Sequence, residues 1–215
     1  MRFLLLSDIH GRDRVAGWAN DMATQHKVDA FIVLGDITHF GPASWAGEFL
    51  SRLERPVYAI PGNCDPPEQV CREIENRGTL LHGRKVDIGG VKFIGLGGSN
   101  PTIFETPFEM EEPEIENALR PLMERHAVLV VHAPPKGIND RISTGLHVGC
   151  DVILELVQEF RPRAVLSGHI HEARGVVEHE GTLFVNPGAA KDGFAALLDI
   201  NSETRAVLLE AITDG

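Results

Sequence analysis

The residues best suited to chemistry stand at the ends of apolar runs. Asp8-Ile9-His10 closes "RFLLLSD", Gly35-Asp36 closes "AFIVLGD", and Gly62-Asn63-Cys64-Asp65 closes "VYAIPGN". Further on, His132 follows "AVLVV", and Gly168-His169-Ile170-His171 follows "RAVLS". Delivered to one place, these supply two carboxylates, four imidazoles and an amide, with no basic neutraliser among them. Crowded carboxylates repel, and burying them unpaired is costly. Divalent cations resolve the conflict, and a set of this size divides naturally between two ions. Taken singly, Asp8, His10 and Asp36 are better read as turn caps or a loop histidine, and Asn63 also suits a turn. The weight lies in the constellation. Asp8 and His10 are two apart on what reads as an extended segment, a spacing that turns both side chains to one side.

The elements that must position these groups are legible in the apolar pattern. Runs rich in Val, Ile, Leu and Phe, without polar alternation, suit strands buried on both faces. Between them the spacing predicts helices over 13–26, 44–54 (with Ser44 as cap), 114–124 after Pro113, and 150–160. Asp65-Pro66-Pro67-Glu68 reads as a helix cap, a first-turn proline and a capping-box acid, so Asp65 is assigned to the helix rather than to catalysis. Strand–helix alternation implies βαβ units and a mostly parallel sheet, whose carboxyl ends form a ligand crevice. After His171 the pattern turns to short antiparallel strands, "ARGVVEH", "GTLFVNP", "GFAALLDI" and "TRAVLLEA". The sum is a layered α/β sandwich in one domain, 1–215, without repeat or linker. Two long loops, 97–113 and 133–149, are expected to wall the crevice and set substrate choice.

In chain order the motifs are "SDIHG", "LGDITH", "PGNCD", "VVHAPP" and "SGHIH", from residue 7 to 171, with a trailing "NPG" at 186–188. Each alone is common; five in order at strand ends are specific. The chain thereby resembles the calcineurin-like metallophosphoesterases, and within them a small prokaryotic branch of phosphodiesterases with GNCD in place of GNH[DE]. The resemblance implies a layered αββα-type sandwich of mixed β-sheets flanked by helices. It also implies two divalent ions, Mn²⁺ first with Fe or Zn²⁺ as alternatives, and phosphate-ester hydrolysis by a metal-bridging hydroxide. Asp8, His10 and His171 would hold one ion, Asn63, His132 and His169 the other, and Asp36 would bridge both. Asp36, Asn63, Cys64 and His132 are the catalytic positions so implied. Cys64 stands where most of the family has a histidine thought to protonate the leaving oxygen or steady the phosphate. Read as a small apolar filler, Cys64 favours phosphodiesters over simple alkyl monoesters. Arg12 and His39 are candidate substrate contacts, with His147 behind them.

Composition narrows the partners. A net charge of −11 over 215 residues argues against a broad polynucleotide or anionic-membrane surface, so a small phosphate ester is the expected partner. The opening apolar stretch is too short for a leader, and no run approaches the roughly 20 residues of a membrane span. Three cysteines without paired spacing suit a reduced, cytoplasmic setting. Homo-oligomer formation is left open. "GLGGSN" at 95–100 lacks the third glycine of a dinucleotide fingerprint and reads as a tight strand exit. The rival from another class is a non-catalytic interaction scaffold, the use to which the retromer complex puts the same fold after loss of key ligands. Here every ligand position retains a competent side chain.

Overall fold

Strands that are apolar on both faces need cover on both, and two stacked sheets with helices outside supply it. The computed structural model describes residues 1–211. The first sheet is built from β1 (Arg2–Leu6), β2 (Ala30–Val33), β3 (Val57–Ala59) and β4 (Thr79–Leu80), all parallel and joined through α1 (Arg14–Gln25), α2 (Ala43–Ser51) and α3 (Pro67–Arg77). The second sheet starts with β5 (Arg84–Ile88) antiparallel to β6 (Val91–Leu96). It continues in parallel through β7 (Val128–Val131) and β8 (Ala164–Leu166), crossing by α4 (Glu112–Leu119) and α5 (Asp151–Phe160). β9 (Gly175–His179) and β10 (Thr182–Asn186) complete it, and β11 (Phe194–Ile200) and β12 (Thr204–Glu210) return to the first sheet beside β1.

Successive side chains on β1 show why the run lacks polar alternation. Phe3 and Leu5 face the other sheet, among Phe93, Val128, Val130 and Leu166. Leu4 and Leu6 face the helices, among Val15, Ala19, Phe49 and Ile74. The second sheet repeats the arrangement, with Ile94, Leu129 and Val165 covered by Ile115, Leu119, Ile153 and Leu156. A layered αββα sandwich of mixed sheets results, as expected, although the parallel strands are shared between two sheets rather than gathered in one.

Several local expectations need correction. The C-terminal strands are antiparallel only in part: β9–β10 and β11–β12 are, but β10 runs parallel to β8, with Phe184 opposite Val165. β4 and β5 have no apolar run to announce them; β5, "RKVDI", is a charged edge strand. Ser44 does not cap α2, which begins at Ala43 after Pro42. α4 begins two residues ahead of the expected 114, because Glu111 and Glu114 close a reciprocal capping box upstream. No described helix is long and apolar enough to cross a membrane.

Candidate metal centre

The five motif turns leave the carboxyl ends of β1, β2, β3, β7 and β8 and meet at one end of the sandwich. The first does not converge by the extended geometry expected of it. β1 ends at Leu6, and Asp8 (φ 56°) and His10 (φ 46°) both adopt the left-handed conformation, as do Asp36 (φ 49°) and His169 (φ 66°). For non-glycine residues that backbone costs roughly 1–3 kcal/mol each and persists only where surroundings over-determine it. Here they do. The amides of Asp8, His10 and Gly11 donate to the carbonyls of Gly35, Asp36 and Ile37 at 3.1, 2.9 and 3.0 Å, lacing two turns together. The third turn and the last close on the same point. A Cβ on Gly62 would strike Asp36 Oδ1, and one on Gly168 would strike Ser7 Oγ.

Inside this frame the donors crowd one another. Asp36 lies between two groups, with Oδ1 3.4 Å from His132 Nε2 and Oδ2 3.6 Å from His10 Nε2. His171 Nε2 lies 3.2 Å from Asp8 Oδ1 and 3.5 Å from His10 Nε2. His132 and His169 pack edge to face at 5.1 Å. Asn63 donates from Nδ2 to Thr106 Oγ1 at 3.0 Å, which turns its Oδ1 inward, 2.8 Å from His132 Nε2. Asp8 Oδ1 and His10 Nδ1 are buried without a hydrogen-bond partner. Buried polar atoms are normally satisfied, so the orphaned Asp8 Oδ1, set among imidazoles and a second carboxylate, fits a cation held there. Asp8, His10 and His171 form one such group, and Asp8, Asp36 and His132 another.

Protonation follows from the same crowding. Burial alone would raise both carboxyls, but the neighbouring imidazoles outweigh it: His171 and His132 hold Asp8 below its ordinary range, and His132 does the same for Asp36. Burial lowers His132, yet Asp36, Asp8 and the Leu34 carbonyl raise it to about 9. Its Nδ1 hydrogen is committed to Leu34 O at 2.7 Å, so the extra proton sits on Nε2 and faces Asn63 and Asp36. A cation would take that proton's place. Burial and the His132 charge push His169 down to about 4, and burial lowers His10, whereas Asp8 raises His171 against its burial.

Asp65 has a role other than the one assigned from sequence. The N-cap of α3 is Pro66, and the Asp65 side chain makes no capping bond. It is fully buried between two motif turns. Oδ1 accepts from Thr38 N and Thr38 Oγ1 at 2.7 and 2.8 Å; Oδ2 accepts from Ile37 N and Gly62 N at 3.0 and 2.8 Å. Burial and the Asp36 charge raise it to about 6 in spite of those bonds. Local spacing suggests a cap because acid-Pro-Pro-Glu is a helix-start pattern, whereas all but the Gly62 donor come from Ile37 and Thr38, nearly thirty positions away. Thr106 and Glu109 were missed in the same way. The Glu109 carboxylate accepts from Thr102 and Thr106 and so fixes the 97–113 loop that steers Asn63.

The remaining candidates separate. Cys64 is buried, its amide 2.8 Å from Asp36 Oδ1, and burial with the Asp36 charge raises its thiol far above the ordinary range. His39 is exposed at the rim, 5.4 Å ring to ring from His10, and groups with His10 and Cys64. Arg12, two residues past His10, is exposed and lines a neighbouring cavity with Arg14 and Lys191. His147 is directed elsewhere: its Nδ1 meets the buried Asp140 at 2.6 Å, inside the 133–149 loop.

A cluster of nitrogen and oxygen donors thus stands at one end of an αββα sandwich, a donor set of the kind that holds metal ions. The calcineurin-like phosphoesterase family model matches residues 1–173, and the chain belongs to that family. It is 34% identical over 197 residues to the uncharacterized protein MJ1162 of Methanocaldococcus jannaschii, covering 87% of this chain and 88% of that one. It is 27% identical over 154 residues to a probable cyclic nucleotide phosphodiesterase of Synechococcus, covering 69% and 60%. The crystal structure of TT1561 of Thermus thermophilus superposes with a TM-score of 0.78 at 18% identity, over 97% and 98% of the chains.

Proposed function

We propose that this chain is a dinuclear metal-dependent phosphodiesterase acting on small phosphate esters, with all of 1–215 as one catalytic domain. One observation carries the reading: donors from separated turns crowd together, with Asp8, His10 and His171 in one group, Asp8, Asp36 and His132 in another, and Asn63 Oδ1 2.8 Å from His132 Nε2. Asp8, His10 and His171 hold one ion, and Asn63, His132 and His169 the other. Asp36 joins the two sets, since its oxygens face His132 and His10 respectively. The mixed imidazole and carboxylate set suits Mn²⁺, with Fe and Zn²⁺ as alternatives. When bound, two divalent ions neutralise phosphoryl charge and acidify water, which supplies a hydroxide nucleophile near neutral pH.

The chain's own groups account for the rest. Asn63 adds an oxygen without adding charge, so the loaded centre keeps a positive excess for phosphate. His132, anchored through Nδ1 at Leu34, presents Nε2 in a fixed direction. Cys64, buried and read as a small apolar filler, stands where the family's histidine would supply a proton, so turnover depends on the acidity of the leaving group. That favours diesters with aryl or nucleoside-type leaving groups over alkyl monoesters, and the probable activity of the Synechococcus relative points the same way. Three free cysteines accord with a reduced, cytoplasmic setting.

The test is direct. Protein stripped with chelator and reloaded with Mn²⁺ should hold two equivalents by elemental analysis and hydrolyse bis(p-nitrophenyl) phosphate faster than p-nitrophenyl phosphate. Asp36→Asn should lose both properties. Full folding without stoichiometric metal or turnover would leave the scaffold reading in its place.

A further inference from the structure

Next to the metal-side turns lies an open cavity of about 740 Å³, lined by Gly11, Arg12, Asp13, Arg14, Lys191 and Asp192. Its walls continue the centre. Gly11 and Arg12 follow His10, and the Lys191 amide donates to the Asp8 carbonyl at 3.2 Å. Arg14, first residue of α1, closes the far side by donating from Nη2 to the Lys191 carbonyl at 2.7 Å. Three cationic side chains therefore surround one opening, on a chain whose net charge is −11. The two acids do not cancel them. Asp13 is turned to Arg52 Nη2 at 2.6 Å, which leaves Asp192 alone against Arg12, Arg14 and Lys191. None of the three cations forms an ion pair among the described residues, whereas Arg52, Arg120 and Arg174 each do.

We propose that this cavity is a subsite for a second anionic group, so that the preferred substrate is a phosphate ester carrying a further phosphate beyond the scissile linkage. The inference rests on the phosphoesterase reading above and specifies its substrate class. A protein this acidic repels dianions at long range, so a substrate with two phosphates needs local cations to offset that field. The planar guanidinium fork and the ammonium point charge are the groups that match tetrahedral oxyanions. Their link to His10 along the chain, and to Asp8 through the Lys191 amide, puts the second phosphate beside the Asp8 and His10 turn.

Two esters with the same leaving group isolate the effect: ethyl p-nitrophenyl phosphate, and its analogue bearing a terminal phosphate on the ethyl group. The phosphorylated ester should show a kcat/KM at least ~10-fold higher, the worth of one charge-assisted hydrogen bond. Arg12→Met combined with Lys191→Met should erase that ratio. Arg12→Met alone, at an exposed position, should reduce it if the double variant folds poorly. A second readout needs no turnover. Pyrophosphate titrated into metal-stripped protein should bind, and the double variant should raise its Kd ~10-fold or more. If neither ester is hydrolysed the hydrolase reading fails, and the pyrophosphate titration alone then decides the cavity. Equal kcat/KM for the two esters, with pyrophosphate binding indifferent to both variants, overturns the subsite.

Discussion

Removing the Asp65 carboxylate should loosen the centre without touching any of its donors. Asp65→Ala leaves the amides of Ile37, Thr38 and Gly62 buried without an acceptor, and the Thr38 hydroxyl hydrogen loses its acceptor too, since Thr38 Oγ1 only accepts from the Gly41 amide at 3.1 Å. An unmet buried donor costs ~1–3 kcal/mol, and water entering the vacated space recovers part of it. The three amides alone therefore give a loss of about 3–5 kcal/mol in the metal-free protein, measured as the midpoint shift in urea at unchanged slope. Ile37 and Gly62 adjoin Asp36 and Asn63, so the loss falls on the turns that present those groups. Disturbing a partner of that kind lowers metal affinity by about 10–100-fold, measured by competition with a chelating dye. Asp65→Asn keeps the shape and one acceptor oxygen but sets an NH₂ against two amides, so it should fall between wild type and alanine. The pH dependence has a defined sign. Because the folded protein holds the Asp65 proton up to about 6, against 3.8 ordinarily, its contribution is full below 3.8 and lost as pH rises through 6. The advantage of wild type over Asp65→Asn should accordingly shrink across that window. A change under ~1 kcal/mol with unaltered metal affinity would refute the clamp.

Three further outcomes follow from the site. The proton on His132 Nε2, held to about 9 in the metal-free protein, must leave when a cation binds, so calorimetric titration of Mn²⁺ at pH 7 in buffers of different ionisation heat should report proton release, with affinity rising toward pH 9; identical heats in all buffers would show that His132 is not displaced. With Cys64 a buried apolar filler in place of a proton-donating histidine, rates on aryl diesters should fall steeply as leaving-group pKa rises, and Cys64→His should flatten that slope and raise the monoester-to-diester ratio; an already flat slope, with chemistry rate-limiting, would mean that another acid serves. Burial raises the Glu109 carboxyl, but its bonds from Thr102 and Thr106 outweigh that and hold it near 2 against an ordinary 4.5, so its contribution is present above 4.5 and lost as pH falls toward 2. Amide protection factors at Thr102 and Thr106 should drop over that range, and in Glu109→Gln they should already be low at pH 5.

The sequence by itself determined which side chains could serve and where along the chain they would appear. Asp8, His10, Asp36, Asn63, His132, His169 and His171 each end an apolar run, and parallel strands carry such ends to one edge. That much is legible because donor chemistry belongs to a residue type and strand burial shows in a few consecutive letters. Other features were decided only by tertiary structure. Asp8 and His10 converge through left-handed turns laced to the neighbouring turn, not through an extended segment. The partners of Asp65 lie beyond its own helix, and β10 and β11, consecutive along the chain, part company between two sheets. Propensity and spacing act over a few neighbours, whereas a buried carboxylate takes its hydrogen bonds from whatever the packed layers bring within reach, at any distance along the chain.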